Sequence, residues 1–245
     1  MSVRVGVDIG GTFTDFAVFN NDTGALHTLK VLSTPDNPGQ EVLTGLQQLE
    51  ERYGIVASDV SYFTHGTTVG VNTVIQRRGL RLVLVTTENF IDVLELARLK
   101  SPDPYNLHSV RPTPLVTRER VLGVNERMAA NGTVDTPLDE TSVEQVLAQA
   151  AKLGAEGVVV ALLNAYANPV HEQHFKAIAA RLAPELPVFC STDVWSIIRE
   201  YERTTTAVIH GYVQPRVARY LQHLRSALKE AGVSAEPMVT KSNGG

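Results

Sequence analysis

Cysteine and tryptophan are almost absent from this sequence, with one residue of each among 245. The single thiol, Cys190, cannot form a disulfide within the chain, and such scarcity is typical of proteins in reducing compartments. The N-terminal residues carry neither the basic region nor the apolar stretch and cleavage site of a secretory signal peptide. We therefore expect a cytoplasmic protein.

The sequence also lacks a surplus of positive charge and a long hydrophobic run. Its 22 Lys and Arg residues against 26 Asp and Glu residues give a net charge of -4, which disfavours binding to the backbone of nucleic acids. The longest apolar run, near 158–163, is far shorter than the roughly 20 residues that span a bilayer. With 43% hydrophobic and 20% charged residues, the composition is that of a globular protein. We expect neither a nucleic-acid partner nor a membrane partner.

Hydrophobic residues alternate with polar ones near the N-terminus and then recur at helical spacing. The alternation predicts an antiparallel meander of strands at 3–7, 13–19 and 26–32. Later apolar runs predict short strands near 62–64, 80–86, 120–126, 157–163, 188–191 and 236–240. Predicted helices run from a cap at Asp36 to Tyr53, over 69–77, from a cap at Thr141 to 153, over 169–182, and over 197–231 with an interruption at Pro215. The prolines within 99–114 predict a long surface loop, and the whole pattern indicates an α/β fold with mixed sheets.

The most informative segment is 8–15, with the sequence DIGGTFTD. It places two glycines and two hydroxyls between strands and flanks them with carboxylates. Glycines let backbone N–H groups approach a phosphate, hydroxyls donate to its oxygens, and a strand-end carboxylate can hold Mg²⁺. The same spacing is also that of a plain hairpin turn, so both interpretations stay open. The sequence contains neither the Rossmann nor the Walker glycine motif.

This segment resembles the first phosphate loop of the actin, Hsp70 and sugar-kinase superfamily, and in particular that of the hydantoinase A/5-oxoprolinase family. Further segments are similar to the same family in the same order and, together with the first, span nearly the whole chain. They lie at 65–68 with Asn72 and Thr73, 86–90, 166–169, 199–204, 212–215 and 242–245.

The resemblance implies a fold and a domain order. We expect a ribonuclease-H-like, phosphate-binding lobe over 1–90 and a second α/β segment over 91–195. A long helix and the start of a further domain then occupy 196–245. The superfamily closes its nucleotide site with a second, similar loop, which this sequence lacks. We therefore expect the chain to be truncated, with the site completed by a missing lobe.

The resemblance also implies an activity: ATP-dependent ring opening of a cyclic amide such as a hydantoin or 5-oxoproline, whose carbonyl is activated by phosphorylation. ATP and Mg²⁺ are the implied cofactors, and a B-type subunit and an oligomeric assembly are the implied partners. Two alternatives stay open. The chain is also similar to the ATP-binding subunits of acetone and acetophenone carboxylases, which consume bicarbonate. A lobe that is inactive alone could instead serve only as a binding or assembly module.

The resemblance carries roles onto individual residues. Gly10, Gly11, Thr12 and Thr14 are expected to bind the terminal phosphates. Asp8 is the expected metal ligand, and Asp8 and Asp15 together are expected to serve Mg²⁺ or the attacking oxygen. Asp15 has an alternative role as a strand-end residue that bonds to its own turn.

A second candidate segment is 65–68, between a predicted strand and a predicted helix. His65 is a candidate catalytic residue, and Gly66, Thr67 and Thr68 are candidates for phosphate or substrate binding, because a helix start presents free N–H groups. The alternative is a core histidine followed by a threonine that caps the helix.

Four other features favour structural roles. The charged residues of 199–204 are typical of a solvated helix face or a subunit interface. His171 and His174 lack the spacing of a zinc motif and indicate an exposed helix start. We expect Cys190 to be a small buried residue and Trp195 to be a packing anchor.

Overall fold

The computed structural model describes residues 2–34, 39–99 and 102–240. The chain forms two compact units: the first comprises Met1–Gln76 with Pro215–Gly245, and the second comprises Arg77–Gln214. These limits differ from the predicted boundaries at 90 and 195, which stay predictions about family domains. The expected helix cap at Asp36 and the segment 242–245 lie outside the described residues.

The described residues form strands and helices in an α/β order. The strands are β1 (Val3–Ile9), β2 (Phe13–Asn20), β3 (Leu26–Leu32), β4 (Val60–Thr67), β5 (Leu82–Thr87), β6 (Val121–Val124), β7 (Arg127–Met128), β8 (Val134–Thr136), β9 (Gly157–Val160), β10 (Val188–Cys190) and β11 (Pro237–Val239). The helices are α1 (Gln40–Tyr53), α2 (Val69–Ile75), α3 (Val93–Leu96), α4 (Glu140–Lys152), α5 (Val170–Leu182), α6 (Ser191–Val194) and α7 (Glu200–Glu230). None of these helices is long and apolar enough to cross a membrane.

The first unit is built on a five-stranded sheet in the order β11-β4-β1-β2-β3. The meander β1-β2-β3 is antiparallel, as predicted, and β4 and β11 add to it in parallel. In β1 every second residue is buried, from Val3 to Ile9, because successive side chains of a strand point to opposite faces. The buried face packs with α1 and with the second half of α7, through Leu224 and Leu228. The other face carries Arg4 and Asp8 of β1 and Asp15 of β2.

The second unit contains a parallel four-stranded sheet in the order β10-β9-β5-β6. All residues of β5 and β9 are buried. Continuous apolar strands are typical of a parallel sheet, whose faces are covered by helices. Val143 of α4 and Phe175 of α5 belong to the core that includes these strands.

Three predicted elements differ in detail. The cap of α4 is Asp139, whose Oδ1 accepts the N–H of Thr141 at 3.1 Å, so the prediction of Thr141 as the cap was wrong. Helix α7 continues through Pro215, so the predicted interruption was also wrong. Proline removes one helical hydrogen bond, but the buried residues Tyr212 and Tyr220 on either side anchor the helix by packing.

The strand β4 is longer than the predicted strand at 62–64. Its parallel pairing with β1 extends to Val7 opposite His65 and Ile9 opposite Thr67. The segment 65–67 therefore lies within the sheet, beside the strand that carries Asp8. The predicted loop at 99–114 is confirmed, since its described residues form neither helix nor strand.

Candidate functional site

Asp8 and Asp15 face each other across the hairpin of β1 and β2. They are directly paired in the antiparallel register, and both are exposed on the polar face of the sheet. Paired residues on one face of such a ladder have Cβ atoms about 4.5–5.5 Å apart. The hairpin therefore brings together two carboxylates whose positions in the sequence are seven apart.

The same row of the sheet continues on both sides of this carboxylate pair. Lys30 of β3 is paired with Asp15, and its Nζ lies 3.1 Å from Asp15 Oδ1. Gly66 of β4 is paired with Asp8 on the other side. A side chain at Gly66 would place its Cβ 3.4 Å from both Asp8 Oδ1 and Thr240 Oγ1. Glycine at this position keeps the space beside the Asp8 carboxylate open.

These residues line a cavity of about 700 Å³ on the polar face, which we call the acidic pocket. Asp8, Asp15, Lys30, Gly66 and Thr240 contribute to its wall. The two carboxylates outnumber the single ammonium group, so the pocket favours a cation. Mg²⁺ is usually held by one or two carboxylates together with water and substrate phosphates, and this donor set fits that chemistry. The described residues contain no cluster of three or more His, Cys, Asp or Glu side chains that could hold a metal alone.

The turn between the two strands is fixed by backbone hydrogen bonds. The N–H of Gly10 donates to the Phe13 carbonyl at 3.0 Å, and the N–H of Ser33 donates to the Thr12 carbonyl at 3.0 Å. The Ser33 hydroxyl donates to the Gly10 carbonyl at 2.9 Å. A Cβ at Gly10 would lie 3.0 Å from the Phe13 carbonyl oxygen, so the close approach requires glycine. The structure thus supplies a rigid turn with an exposed Thr12 beside it.

Thr14 lies on the opposite face from Asp15 and is fully buried. Its hydroxyl shares a hydrogen bond of 2.9 Å with Ser33 Oγ. This contact ties β2 to the end of β3 and takes the hydroxyl away from the polar face. Among the predicted phosphate ligands of the turn, Thr12 is exposed to solvent whereas Thr14 supports the turn from below.

His65 is also on the buried face, away from the Asp8 carboxylate. Its Nε2 lies 2.6 Å from the hydroxyl of Tyr220 on α7, and the imidazole is fully buried. Burial lowers the pKa of His65 below its usual value, because the interior disfavours the charged ring. The structure therefore separates His65 from the acidic pocket by the thickness of the sheet.

Thr67 and Thr68 serve the junction between β4 and α2. The Thr67 hydroxyl accepts the N–H of Val69 at 3.2 Å, and the Thr68 hydroxyl accepts from the Asn72 side-chain amide at 3.0 Å. Thr68 occupies the cap position of α2 without a side-chain capping bond. Their roles as phosphate or substrate ligands stay predictions.

Sequence reasoning missed Lys30 and Thr240 as parts of the acidic pocket. Lys30 is identifiable in principle, since extending the meander register from Asp15 reaches the middle of the third strand. Thr240 follows β11, and its N–H donates to the His65 carbonyl at 2.9 Å although 175 positions separate the two residues. Short-range patterns carry no information about that pairing.

In the second unit the structure corrects the expectation for 199–204. Arg203 is fully buried rather than on a solvated face or an interface. Its guanidinium donates to the carbonyls of Leu162 at 2.6 Å and Ile197 at 2.7 Å, and to Ser191 Oγ at 3.1 Å. Charged residues at the start of a long helix are usually exposed to solvent, so the sequence predicts exposure here. The Arg203 guanidinium instead donates to backbone carbonyls of other segments.

The expectation of an exposed helix start at His171 was also wrong. His171 and Glu172 are buried, and His171 Nδ1 lies 2.7 Å from Glu126 Oε2. Glu172 accepts hydrogen bonds from the Leu162 N–H at 3.0 Å, and its other partners are Ser191 and Thr192. Burial raises the pKa of Glu172 despite these bonds. The cluster is a fully bonded structural network rather than a zinc motif.

The single cysteine and the single tryptophan differ in burial. Cys190 is buried as expected, and burial raises the pKa of its thiol to about 12, so it is not a reactive nucleophile. Trp195 is 49% exposed, so the expectation of a packing anchor was wrong.

Comparisons with known proteins identify the family of this chain. The hydantoinase/oxoprolinase N-terminal region matches residues 4–183, and the hydantoinase/oxoprolinase family matches residues 203–245. The chain belongs to the hydantoinase/oxoprolinase family. The expected fold class, a mixed α/β fold of the actin and Hsp70 type, is confirmed by the structural matches below.

Three individual proteins illustrate the relationship. The acetophenone carboxylase gamma subunit of Aromatoleum aromaticum is 31% identical over 258 residues, covering 98% of this chain and 35% of the relative. The crystal structure of the ATP-dependent caprolactamase from Pseudomonas jessenii is 29% identical with a TM-score of 0.90, covering 99% of this chain and 36% of that one. The nucleotide-free structure of acetone carboxylase is 27% identical with a TM-score of 0.87, covering 98% and 36%. The chain thus spans about a third of the length of these proteins.

Proposed function

We propose that this chain is the phosphate- and magnesium-binding part of an ATP-dependent enzyme that opens a cyclic amide. The observation that carries the proposal is the direct pairing of Asp8 with Asp15 beside the glycine turn. The family membership and the likeness to an ATP-dependent caprolactamase support it.

In this proposal the hairpin positions the terminal phosphates of ATP. Gly10, Gly11 and Thr12 present backbone and hydroxyl donors at the turn, and Asp8 and Asp15 supply carboxylate oxygens for Mg²⁺. Bound Mg²⁺ would neutralise charge on the phosphates during transfer. Lys30 holds Asp15 in place through their contact of 3.1 Å. Gly66 leaves room for a reacting group beside Asp8.

ATP is useful to such an enzyme because an amide carbonyl is a poor electrophile. Transfer of a phosphoryl group to the amide oxygen makes the carbon more electrophilic and provides a better leaving group. The chain contributes positioning and charge neutralisation, which are the main requirements of phosphoryl transfer.

A second candidate function is that of the ATP-binding subunit of a ketone carboxylase. The specific observation in its favour is the likeness to the acetophenone carboxylase gamma subunit and to acetone carboxylase, with coverage of this chain close to that of the caprolactamase. The two functions share the phosphate site and differ in whether bicarbonate is consumed.

We further propose that the complete enzyme works in the cytoplasm with a B-type partner subunit in an oligomer. The relatives with carboxylase activity are described as subunits of larger enzymes, which supports the need for a partner. The substrate is a small molecule, either a cyclic amide or a ketone.

The first experiment is a calorimetric titration of MgATP into the 245-residue chain. We expect saturable binding that Asp8→Asn abolishes, while the control Asp135→Asn, at an exposed position in the second unit, leaves it unchanged. Binding that survives Asp8→Asn would remove Asp8 from the site. A folded chain that binds no MgATP would mean that the site needs the missing lobe, and the same variants would then be compared in the complete enzyme.

Assays of the assembled enzyme distinguish the hydrolase function from the carboxylase function. ATP consumption with a lactam or hydantoin that does not require bicarbonate supports the cyclic amidohydrolase. ATP consumption with a ketone that requires bicarbonate supports the carboxylase instead. Asp8→Asn is expected to abolish whichever activity is found.

A further inference from the structure

Ser33, the residue after β3, bonds to three residues in and beside the glycine turn, although 19 to 23 positions separate it from them in the sequence. Its N–H donates to the Thr12 carbonyl at 3.0 Å, and its hydroxyl donates to the Gly10 carbonyl at 2.9 Å. The hydroxyl of Thr14 lies 2.9 Å from the same Oγ. Sequence patterns predict no role for Ser33, because these contacts depend on the pairing of β2 with β3.

The directions of these bonds follow from the single hydrogen that a serine hydroxyl carries. A carbonyl oxygen only accepts, so Ser33 donates its hydroxyl hydrogen to Gly10. Ser33 Oγ is then the acceptor in its contact with Thr14, whose buried hydroxyl is the donor. Two hydroxyls thus form a directed chain that begins in the core and ends on the carbonyl of the first glycine. The Gly10 carbonyl is therefore held on the side of the turn that faces Ser33.

Holding this carbonyl also fixes the N–H of Gly11, because both groups belong to one peptide plane. The described residues contain no cis peptide bond, and in a trans peptide the carbonyl and the N–H point in opposite directions. The Gly11 N–H therefore points away from Ser33. No backbone carbonyl in the described part of the chain accepts this N–H, and Gly11 is exposed. The turn thus presents a free donor on the side opposite Ser33.

We propose that Ser33 is a positioning residue of the phosphate site, whose hydroxyl sets the orientation of the Gly10–Gly11 peptide and thereby the direction of the Gly11 N–H. The inference rests on the proposed function, in which the turn binds the terminal phosphates of ATP. An N–H that already points towards an anion needs no rearrangement on binding. Two successive glycines without such a brace adopt many backbone conformations, which makes binding weaker. Ser33 therefore acts through the backbone of the turn rather than by contact with the nucleotide.

Three serine variants test this role. Ser33→Ala removes the bond to Gly10 but keeps the backbone bond to Thr12, and we expect it to weaken MgATP binding about threefold to tenfold, the effect of one hydrogen bond. The conservative variant Ser33→Thr keeps a hydroxyl and is expected to restore the affinity of the parent. The matched control is Ser61→Ala. It removes a hydroxyl that donates to the Val3 carbonyl at 3.0 Å, at the end of β1 remote from the turn, and it should bind as the parent does.

Two measurements are made on each variant. Calorimetry gives the MgATP affinity in the form of the protein that binds it, either the 245-residue chain or the complete enzyme. NMR relaxation of the Gly10 and Gly11 amides, in the chain without nucleotide, gives the mobility of the turn and does not depend on the proposed function. We expect greater picosecond-to-nanosecond mobility of both amides in Ser33→Ala and no change in Ser61→Ala.

Three outcomes would overturn the proposal. The first is an MgATP affinity of Ser33→Ala equal to that of the parent, and the second is unchanged mobility of the Gly10 and Gly11 amides in Ser33→Ala. The third is an equal loss of affinity in Ser33→Ala and Ser61→Ala, which would indicate a general loss of stability. Failure of the proposed function is distinguished from these outcomes, because Asp8→Asn would then leave MgATP binding unchanged. The amide mobility would still decide whether Ser33 holds the turn.

Discussion

His65 and Tyr220 are joined by a hydrogen bond of 2.6 Å between the imidazole Nε2 and the phenol oxygen, although 155 positions separate them in the sequence. The bond links the strand beside Asp8 to the helix α7, and both partners are buried. His65 therefore supports the buried face of the sheet whose other face carries the acidic pocket, and its catalytic role stays a prediction.

Removing the phenol oxygen tests this link. Tyr220→Phe keeps the ring packing but leaves the buried Nε2 of His65 without its partner, which is expected to cost about 1–3 kcal/mol of unfolding free energy. Tyr53→Phe is the control, because the Tyr53 hydroxyl is exposed and makes only a long bond of 3.4 Å. Urea denaturation measures both, and equal stability of Tyr220→Phe and the parent would contradict the structural role.

The buried imidazole also predicts a pH dependence of stability. Because the pKa of His65 is lowered in the folded state, the unfolded chain takes up a proton first as the pH falls below about 6.5. Stability contributed by His65 is present above that pH and is lost on acidification until the lowered pKa of the folded state is reached. His65→Gln should show a smaller loss between pH 7.5 and 5 than the parent.

The exposed His108 provides the control for this measurement. His108→Gln should retain the pH dependence of the parent, since its side chain is not buried. If His65→Gln lost stability on acidification as steeply as His108→Gln, proton uptake at His65 would not be the cause.

The two hydroxyls flanking Phe13 are predicted to behave differently. Thr12 is exposed at the turn, so Thr12→Val is expected to weaken MgATP binding by several-fold without a change in stability. Thr14 is buried and bonded to Ser33, so Thr14→Val is expected to lower stability by about 1 kcal/mol or more. Calorimetry and urea denaturation on the same two variants check both parts. Unaltered nucleotide binding in Thr12→Val would make the segment a plain hairpin turn.

We predict that replacing Arg203 strongly lowers the stability of the second unit. Arg203→Lys replaces the planar guanidinium with a single ammonium group, which cannot take over the bonds to the carbonyls of Leu162 and Ile197. We therefore expect the free energy of unfolding to fall by about 3–5 kcal/mol. Arg181→Lys, at a side chain that is 65% exposed, should change the unfolding free energy by less than about 1 kcal/mol. Comparable stability of the two variants would refute the buried network as an anchor.

We predict that alanine has opposite effects on stability at two helical glycines. At Gly45 of α1 a Cβ would lie 2.1 Å from Cζ of the buried Phe16, so Gly45→Ala is expected to destabilise by about 1–3 kcal/mol. At Gly70 of α2 the nearest atom is Val217 Cγ2 at 3.9 Å, and Gly70→Ala should stabilise by up to about 1 kcal/mol. Thermal unfolding of both variants is sufficient, and a stabilising Gly45→Ala would show that Phe16 can move aside.

The first hairpin and its carboxylate pair could be predicted from the sequence because they depend on local rules. Side chains alternate along a strand, and a short turn fixes the register, so Asp8 and Asp15 fall on one face without any distant contact. The helices α4 and α5 were predicted for a similar reason, since helical spacing of apolar residues is read over a few turns.

The sequence by itself thus determined the α/β order, the glycine turn and the family. Only the tertiary structure decided that Thr14 and His65 face the core and that Arg203 is buried. Each of these depends on pairing between segments far apart in the chain, as with His65 and Tyr220. Local periodicity says which side chains share a face, whereas burial of a polar group depends on which distant element covers that face and offers it a partner.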